Sequence, residues 1–234
     1  MKRKLLAGLL ALVFCLSLMV PASAAVGVKI TTIKTKDPTD AVIYEPLSDY
    51  EVGFIFYPGG FVDYRDYDPL LKAVAHKGYL CISTELPLDV SMANVAACYK
   101  YMAQYPQVKY WFIGGHSLGG SGAAMAVGSD LTVFSGLILL AAYPLNSLLL
   151  RHIPVLSVYG TEDGVLNRNN YKISMGQMGD NVDELVIEGG NHSQFGDYGL
   201  QSRDNPATIS ADDQVRLTAA AIDTFIQSTL STEG

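Results

Sequence analysis

The sequence predicts an α/β fold: a mostly parallel sheet with helices on both faces and little or no cap domain. Three observations support that reading. Short continuous apolar runs recur along the chain, stretches with helical spacing lie between several of them, and Gly115-His116-Ser117-Leu118-Gly119 stands where one run gives way to a small-residue helix start. Parallel strands covered on both faces have no wet side, so they read as unbroken apolar runs rather than as alternating ones.

The first elements, Val28 to Ile33 and Val42 to Tyr44, read as short strands at a sheet edge. Val52 to Tyr57 is wholly apolar apart from Gly53 and stops at Pro58-Gly59-Gly60, as a buried strand does. Asp68 then fits as an N-cap, with Pro69 at the first helical position, Leu70, Leu71 and Val74 on one face and Gly78 past the end. Tyr79 to Ser83 is the next strand. From Val90 to Tyr105, Met92, Val95, Ala96, Tyr99 and Met102 recur at helical spacing until Pro106. Strand Tyr110 to Ile113, a helix from Leu118, and strands Gly136 to Leu140, Pro154 to Tyr159 and Glu184 to Ile187 continue the pattern. The link Ala141 to Ile153 is too short for a cap domain, and Leu145, Leu148, Leu149 and Leu150 suggest one short amphipathic helix in it. Ser210-Ala211-Asp212-Asp213 resembles a capping box, opening a last helix with Val215, Ala219, Ile222 and Ile226 on its apolar stripe.

At the amino end, Lys2, Arg3 and Lys4 precede an apolar run from Leu5 to Val20 and then Pro21-Ala22-Ser23-Ala24. That order reads as a secretory signal peptide over residues 1–24, with no stable membrane insertion after cleavage and a secreted, bacterial protein as the expectation. Residues 25–234 then form a single domain. Loss of three positive charges takes the net charge from −7 to −10, which disfavours nucleic acid and anionic membrane as partners. Only Cys81 and Cys98 remain, both in apolar patterns: two buried thiols, or one bridge in an exported protein. The Cys and His positions show no metal-ligand spacing.

A serine hydroxyl is a weak nucleophile at neutral pH and needs a base held by a carboxylate. Ser117, on a sharp strand-to-helix turn flanked by glycines, is the candidate nucleophile, with the amide of Leu118 at the helix start facing a developing oxyanion. Only His152 and His192 follow Ser117. His152 precedes a strand and falls at the opposite edge of the sheet, whereas His192 follows one and falls at the carboxyl edge, so His192 is the candidate base. Asp163, in the turn after strand Pro154 to Tyr159, is the candidate acid, with Glu162 and Asp183 as alternatives. The second oxyanion donor is the backbone amide of Gly60 or Phe61, after the strand ending at Tyr57. His76 and His116 read as structural. Phe195 to Leu200 either shapes a substrate pocket or is a packed loop.

With these pieces in order, the chain resembles the α/β-hydrolase superfamily, and most closely the small bacterial group labelled α/β-hydrolase fold five. The resemblance runs from Phe54 to the last helix through Tyr57-Pro58-Gly59-Gly60-Phe61, Gly115-His116-Ser117-Leu118-Gly119-Gly120, Tyr159-Gly160-Thr161-Glu162-Asp163 and Gly190-Asn191-His192-Ser193-Gln194-Phe195-Gly196. It implies Ser117, Asp163 and His192 as a triad and an α/β-hydrolase fold. Pro58 departs from the pattern, standing where many members carry His. The expectation is hydrolysis of small-molecule carboxylic esters, without cofactor or metal, through an acyl-enzyme. Acyl transfer or amide hydrolysis by the same triad, and a non-catalytic binding protein on this fold, are the alternatives.

Overall fold

The computed structural model describes residues 26–34, 40–86, 94–129, 133–149 and 152–232. The segment read as a signal peptide lies outside them, as do Val90 to Ala93 and Leu150. Eight strands form one sheet: β1 (Val28–Ile33), β2 (Ala41–Pro46), β3 (Val52–Tyr57), β4 (Leu80–Thr84), β5 (Tyr110–His116), β6 (Phe134–Leu140), β7 (Val155–Gly160) and β8 (Val182–Ile187). Their spatial order is β1-β2-β4-β3-β5-β6-β7-β8. The pairings β1 to β2 and β2 to β4 are antiparallel, and every pairing from β4 to β8 is parallel. Only β2 among these strands runs against the others, and the parallel body matches the expected mostly parallel sheet.

Five helices cover it: α1 (Asp68–Ala75), α2 (Ala97–Met102), α3 (Leu118–Ser129), α4 (Arg168–Met178) and α5 (Ala211–Thr232). Side chains alternate along each strand, so the sheet feeds two cores. On one face Phe54, Phe56, Phe112, Ile138 and Val158 pack with α1 and with Ile222, Phe225 and Ile226 of α5. On the other, Ile55, Tyr57, Ile113, Leu137 and Leu139 pack with Ala123, Ala126 and Val127 of α3, Cys98 of α2 and Met178 of α4. Cys81 and Cys98 are separate, buried thiols on opposite faces, and no bridge joins them.

Several local expectations need correction. Asp68 is the first residue of α1 rather than its cap, and it pairs with Lys72 at 2.9 Å one turn on. Helix α2 begins only at Ala97, after Val95 and Ala96, and buries Ala97, Cys98 and Tyr101, with Tyr99 and Met102 partly buried against the same core. That segment is apolar nearly all round, so periodicity could not choose its face; Tyr57 does, accepting from the Cys98 amide (3.1 Å) and donating to the Val95 carbonyl (2.7 Å). The leucine-bearing link is irregular over 141–149 rather than helical. There Leu148 is buried and its amide donates to the Gln177 carbonyl (2.8 Å), while Leu145 and Leu149 are exposed. Helix α4 leaves little apolar pattern in the sequence because only Tyr171, Ser174 and Met178 of it are buried; Asn167 caps it, accepting from the amides of Asn169 and Asn170. The expected capping box at Ser210 forms in part: the Asp213 amide donates to Ser210 Oγ (3.1 Å), and Asp213 Oδ2 accepts from that hydroxyl (2.7 Å) in place of the Ser210 amide.

The carboxyl ends of β7 and β8 meet backbone to backbone. A Cβ on Gly160 would lie 2.0 Å from the Gly190 carbonyl oxygen, whereas one on Gly176, inside exposed α4, would meet nothing within 4 Å. Gly160→Ala is expected to destabilise the protein by about 3 kcal/mol, at the upper end for overpacking. Gly176→Ala should instead stabilise it by about 0.5 kcal/mol, through helix propensity. Urea unfolding of both variants checks this, and equal midpoints would contradict the close approach.

Candidate active site

A single residue, Ser117, joins β5 to α3, with φ of 52°. The left-handed region costs an L-residue about 1–2 kcal/mol, and here the surroundings enforce it. The Ser117 amide donates to the Leu140 carbonyl (2.9 Å), and its own carbonyl accepts from the Ser121 amide (3.3 Å). The flanking glycines serve proximity rather than dihedral freedom. A Cβ on Gly119 would lie 2.1 Å from the Tyr57 carbonyl oxygen, and one on Gly115 2.4 Å from the same atom. The end of β3 thereby rests directly on the elbow, placing the Pro58 to Phe61 loop beside Leu118. Phe61 is itself left-handed (φ 62°) and 80% exposed. Among the described residues the amides of Gly60 and Phe61 donate to no other backbone group.

Asp163 and His192 come together from two loops. Asp163 follows β7 and His192 follows β8, and His192 Nδ1 lies 2.9 Å from Asp163 Oδ2 with both side chains buried. Asp163 Oδ1 accepts from the amides of Val165 and Leu166, each at 2.8 Å. Burial alone pushes the Asp163 carboxyl up, but the hydrogen bond and charge of His192, with those two amides, hold it below the ordinary carboxylate value. An ionised carboxylate only accepts, so Nδ1 bears the proton and Nε2 presents its lone pair. His192 Nε2 has no hydrogen-bond partner, and His192 and Ser117 line one cavity of about 140 Å³ with Leu118, Tyr143, Leu145 and Leu166. The two groups share that space without bonding to each other.

The alternative acids go elsewhere: the Glu162 side chain meets Thr161 Oγ1 (3.4 Å), and Asp183 is exposed on β8. His152 precedes β7 at the far edge, lining a cavity with Met178 and Gly179, and His76 ends α1 with its Nδ1 2.6 Å from the Val26 carbonyl. Phe195 to Leu200 does not line the cavity at Ser117: Gly196, Gly199 and Leu200 line a different one, Phe195 is buried and Leu200 is exposed.

Beneath the pair lies a network the sequence did not announce. His116, fully buried, stacks 4.4 Å from His192 between ring centroids, and its Nδ1 lies 2.9 Å from the Tyr67 hydroxyl. That hydroxyl also accepts from the Gly59 amide (2.8 Å), tying the oxyanion-side loop to the floor of the site. Burial, and secondarily the neighbouring His192, hold the His116 pKa well below 6.5. An unfolded chain takes up this proton near pH 6.5 while the folded one does not, so folding stability drains as pH falls below that value. Wild type should lose stability below pH 6.5 more steeply than His116→Leu, by about 1.4 kcal/mol per pH unit. Parallel curves in urea titrations at several pH values would refute it.

Residues 53–216 match the model of an alpha/beta hydrolase family. No curated protein matches the sequence. Among solved structures, the chain is similar to Est1E from Butyrivibrio proteoclasticus at 15% identity and a TM-score of 0.65, covering 86% of this chain and 99% of that one. Est1E with ferulic acid bound is similar at 14% identity and a TM-score of 0.63, covering 82% and 96%. A predicted CIB-like hydrolase from Thermoplasma acidophilum follows at 15% identity and a TM-score of 0.60, covering 85% and 99%. At these identities the structures speak to the fold, and they agree with the sheet described above. The family match, which spans most of the chain from β3 into α5, is decisive: this chain belongs to the alpha/beta hydrolase family.

Proposed function

We propose that the protein is a secreted serine hydrolase of small carboxylic esters, with Ser117 as nucleophile, His192 as base and Asp163 as the acid that orients it. The observation behind this reading is the buried Asp163–His192 contact, whose Nε2 has no hydrogen-bond partner and whose histidine lines the same cavity as a left-handed Ser117. In the first step Ser117 Oγ bonds to the ester carbonyl carbon while its proton passes to His192 Nε2. Negative charge gathers on the carbonyl oxygen, where the amides of Leu118 and of Gly60 or Phe61 receive it. The carbon to alkoxy-oxygen bond then breaks, and His192 returns the proton to the leaving alcohol. Water repeats the sequence on the acyl-enzyme, releasing the acid and restoring Ser117. Asp163 stabilises the imidazolium formed at each stage and keeps its proton on Nδ1. The leader over residues 1–24 directs export.

The roles separate cleanly by substitution. Ser117→Ala should remove esterase activity and labelling by a fluorescent fluorophosphonate while leaving the fold intact, because a hydroxyl is lost and little apolar area with it. Asp163→Asn should lower turnover by about 10⁴-fold, as the wrong tautomer does in a triad, and Glu162→Gln by far less. Near wild-type activity in Ser117→Ala, or the larger loss at Glu162, would overturn the assignment.

Substrate size follows from the link between β6 and β7. It holds no cap, and the cavity at Ser117 is about 140 Å³. Each methylene left outside forgoes roughly 0.8 kcal/mol of binding. Acetate and butyrate esters should therefore have higher kcat/KM than long-chain esters, without interfacial activation. Est1E has been solved with ferulic acid bound, so aromatic acid esters belong in the same panel. A nitrophenyl ester series peaking at ten or more acyl carbons would contradict this.

A further inference from the structure

We propose that Asp204 is a positioning residue that fastens the loop bearing Asp163 to the loop bearing His192. The proposal rests on the roles assigned to those two residues above. Asp204 lies in the segment before α5, remote in sequence from the Asp163 loop, yet its carboxylate gathers donors from both. Oδ1 accepts from the amides of Gly164 (3.0 Å), His192 (3.3 Å) and Asn205 (3.0 Å). Oδ2 accepts from the Ser193 amide (2.8 Å) and the Ser193 hydroxyl (2.6 Å). Five donors fill an acceptor with about four lone-pair sites, so no uncharged side chain of this size substitutes for it.

The placement of those donors is what gives Asp204 its reach. Gly164 directly follows Asp163, and the His192 amide belongs to the base itself, so one carboxylate sets the backbones on either side of the 2.9 Å contact. The Glu162 amide also joins the two loops by donating to the Gly190 carbonyl (2.8 Å), but it stops short of His192 itself. Gln214 fixes Asn191 from behind, accepting from its amide (3.0 Å) and donating to its carbonyl (2.8 Å), while the His192 and Ser193 amides go to Asp204 and the Ser193 hydroxyl also accepts from the Gln201 amide (2.9 Å). The segment bearing Asp204 is itself clamped. Asn191 Nδ2 donates to the Asn205 carbonyl (2.8 Å), and a Cβ on Gly164 would lie 2.4 Å from the Arg203 carbonyl oxygen. Arg203 holds a left-handed φ of 73°, strain that persists only where neighbours enforce it. A displacement of about 1 Å between reacting groups can cost on the order of 100-fold in rate, so the fastening acts on catalysis through His192.

Asp204→Asn keeps the shape but, whichever way the amide faces, turns an N–H₂ toward at least one backbone N–H, a group that only donates. Proton NMR of the full chain reads the low-field His192 Nδ1–H directly, without any substrate. That signal should broaden or vanish in Asp204→Asn. With a nitrophenyl acetate, kcat should fall by about 10- to 100-fold with KM little changed. In an Asp163→Asn background the same substitution should cost almost nothing further, because the pair it positions is already broken. Should Asp204→Asn fail to fold, Ser193→Ala removes one of the five donors and takes the same readouts, with an expected loss of about two- to tenfold. A wild-type Nδ1–H signal in a merely less stable variant, or an equal loss of kcat in both backgrounds, would overturn the positioning role. Wild-type protein that turns over no ester would instead overturn the hydrolase reading, while the NMR comparison would still decide the role of Asp204.

Discussion

The left-handed turn at Ser117 sets the terms for everything around it. A strand must end and a helix begin across one residue, and the helix must start close enough to the sheet for the serine to stand at its carboxyl edge. That proximity leaves no space for side chains at Gly115 and Gly119, whose missing Cβ positions are occupied by the Tyr57 and Pro58 carbonyls. The same contact fixes the loop after β3 against the start of α3. Ser117 and the candidate oxyanion amides are therefore positioned by one packing event, and a rigid sheet buried on both faces supplies the frame.

The remainder of the site is an electrostatic arrangement built in a dry interior. A buried carboxylate and a buried imidazole are costly to desolvate singly, and each is stabilised here by the other and by backbone amides. His116 extends the arrangement. Held neutral by burial, it places an uncharged ring against His192 and, through Tyr67, connects to Gly59. A positive charge there would repel the imidazolium that the proposed mechanism forms.

Topology explains why loops so distant in sequence meet. In a parallel sheet all strands point one way, so the segments following β3, β5, β7 and β8 emerge at the same edge. The chain adds fasteners between them: Gly160 against Gly190, Thr161 Oγ1 accepting from the Gly189 amide at 2.9 Å, and Asp204 between Gly164 and His192. Each works only because a glycine or a short polar side chain lets backbones approach.

Local chemistry was enough for the sequence to determine the strands, the elbow at Ser117, the capping box at Ser210 and the order Ser117, Asp163, His192. Apolar runs, helix caps and turn residues act over a few neighbours, so their pattern survives without the fold. Tertiary structure decided what depended on distant partners. It chose the buried face of α2 through Tyr57 and left 141–149 irregular with Leu148 buried. It also formed α4 from a mostly polar segment, and it picked Asp163 over Glu162 by bringing only the former to His192. The roles of Tyr67, His116 and Asp204 were invisible for the same reason. A hydrogen bond between residues far apart along the chain leaves no periodic trace in it, and only folding brings the donor to the acceptor.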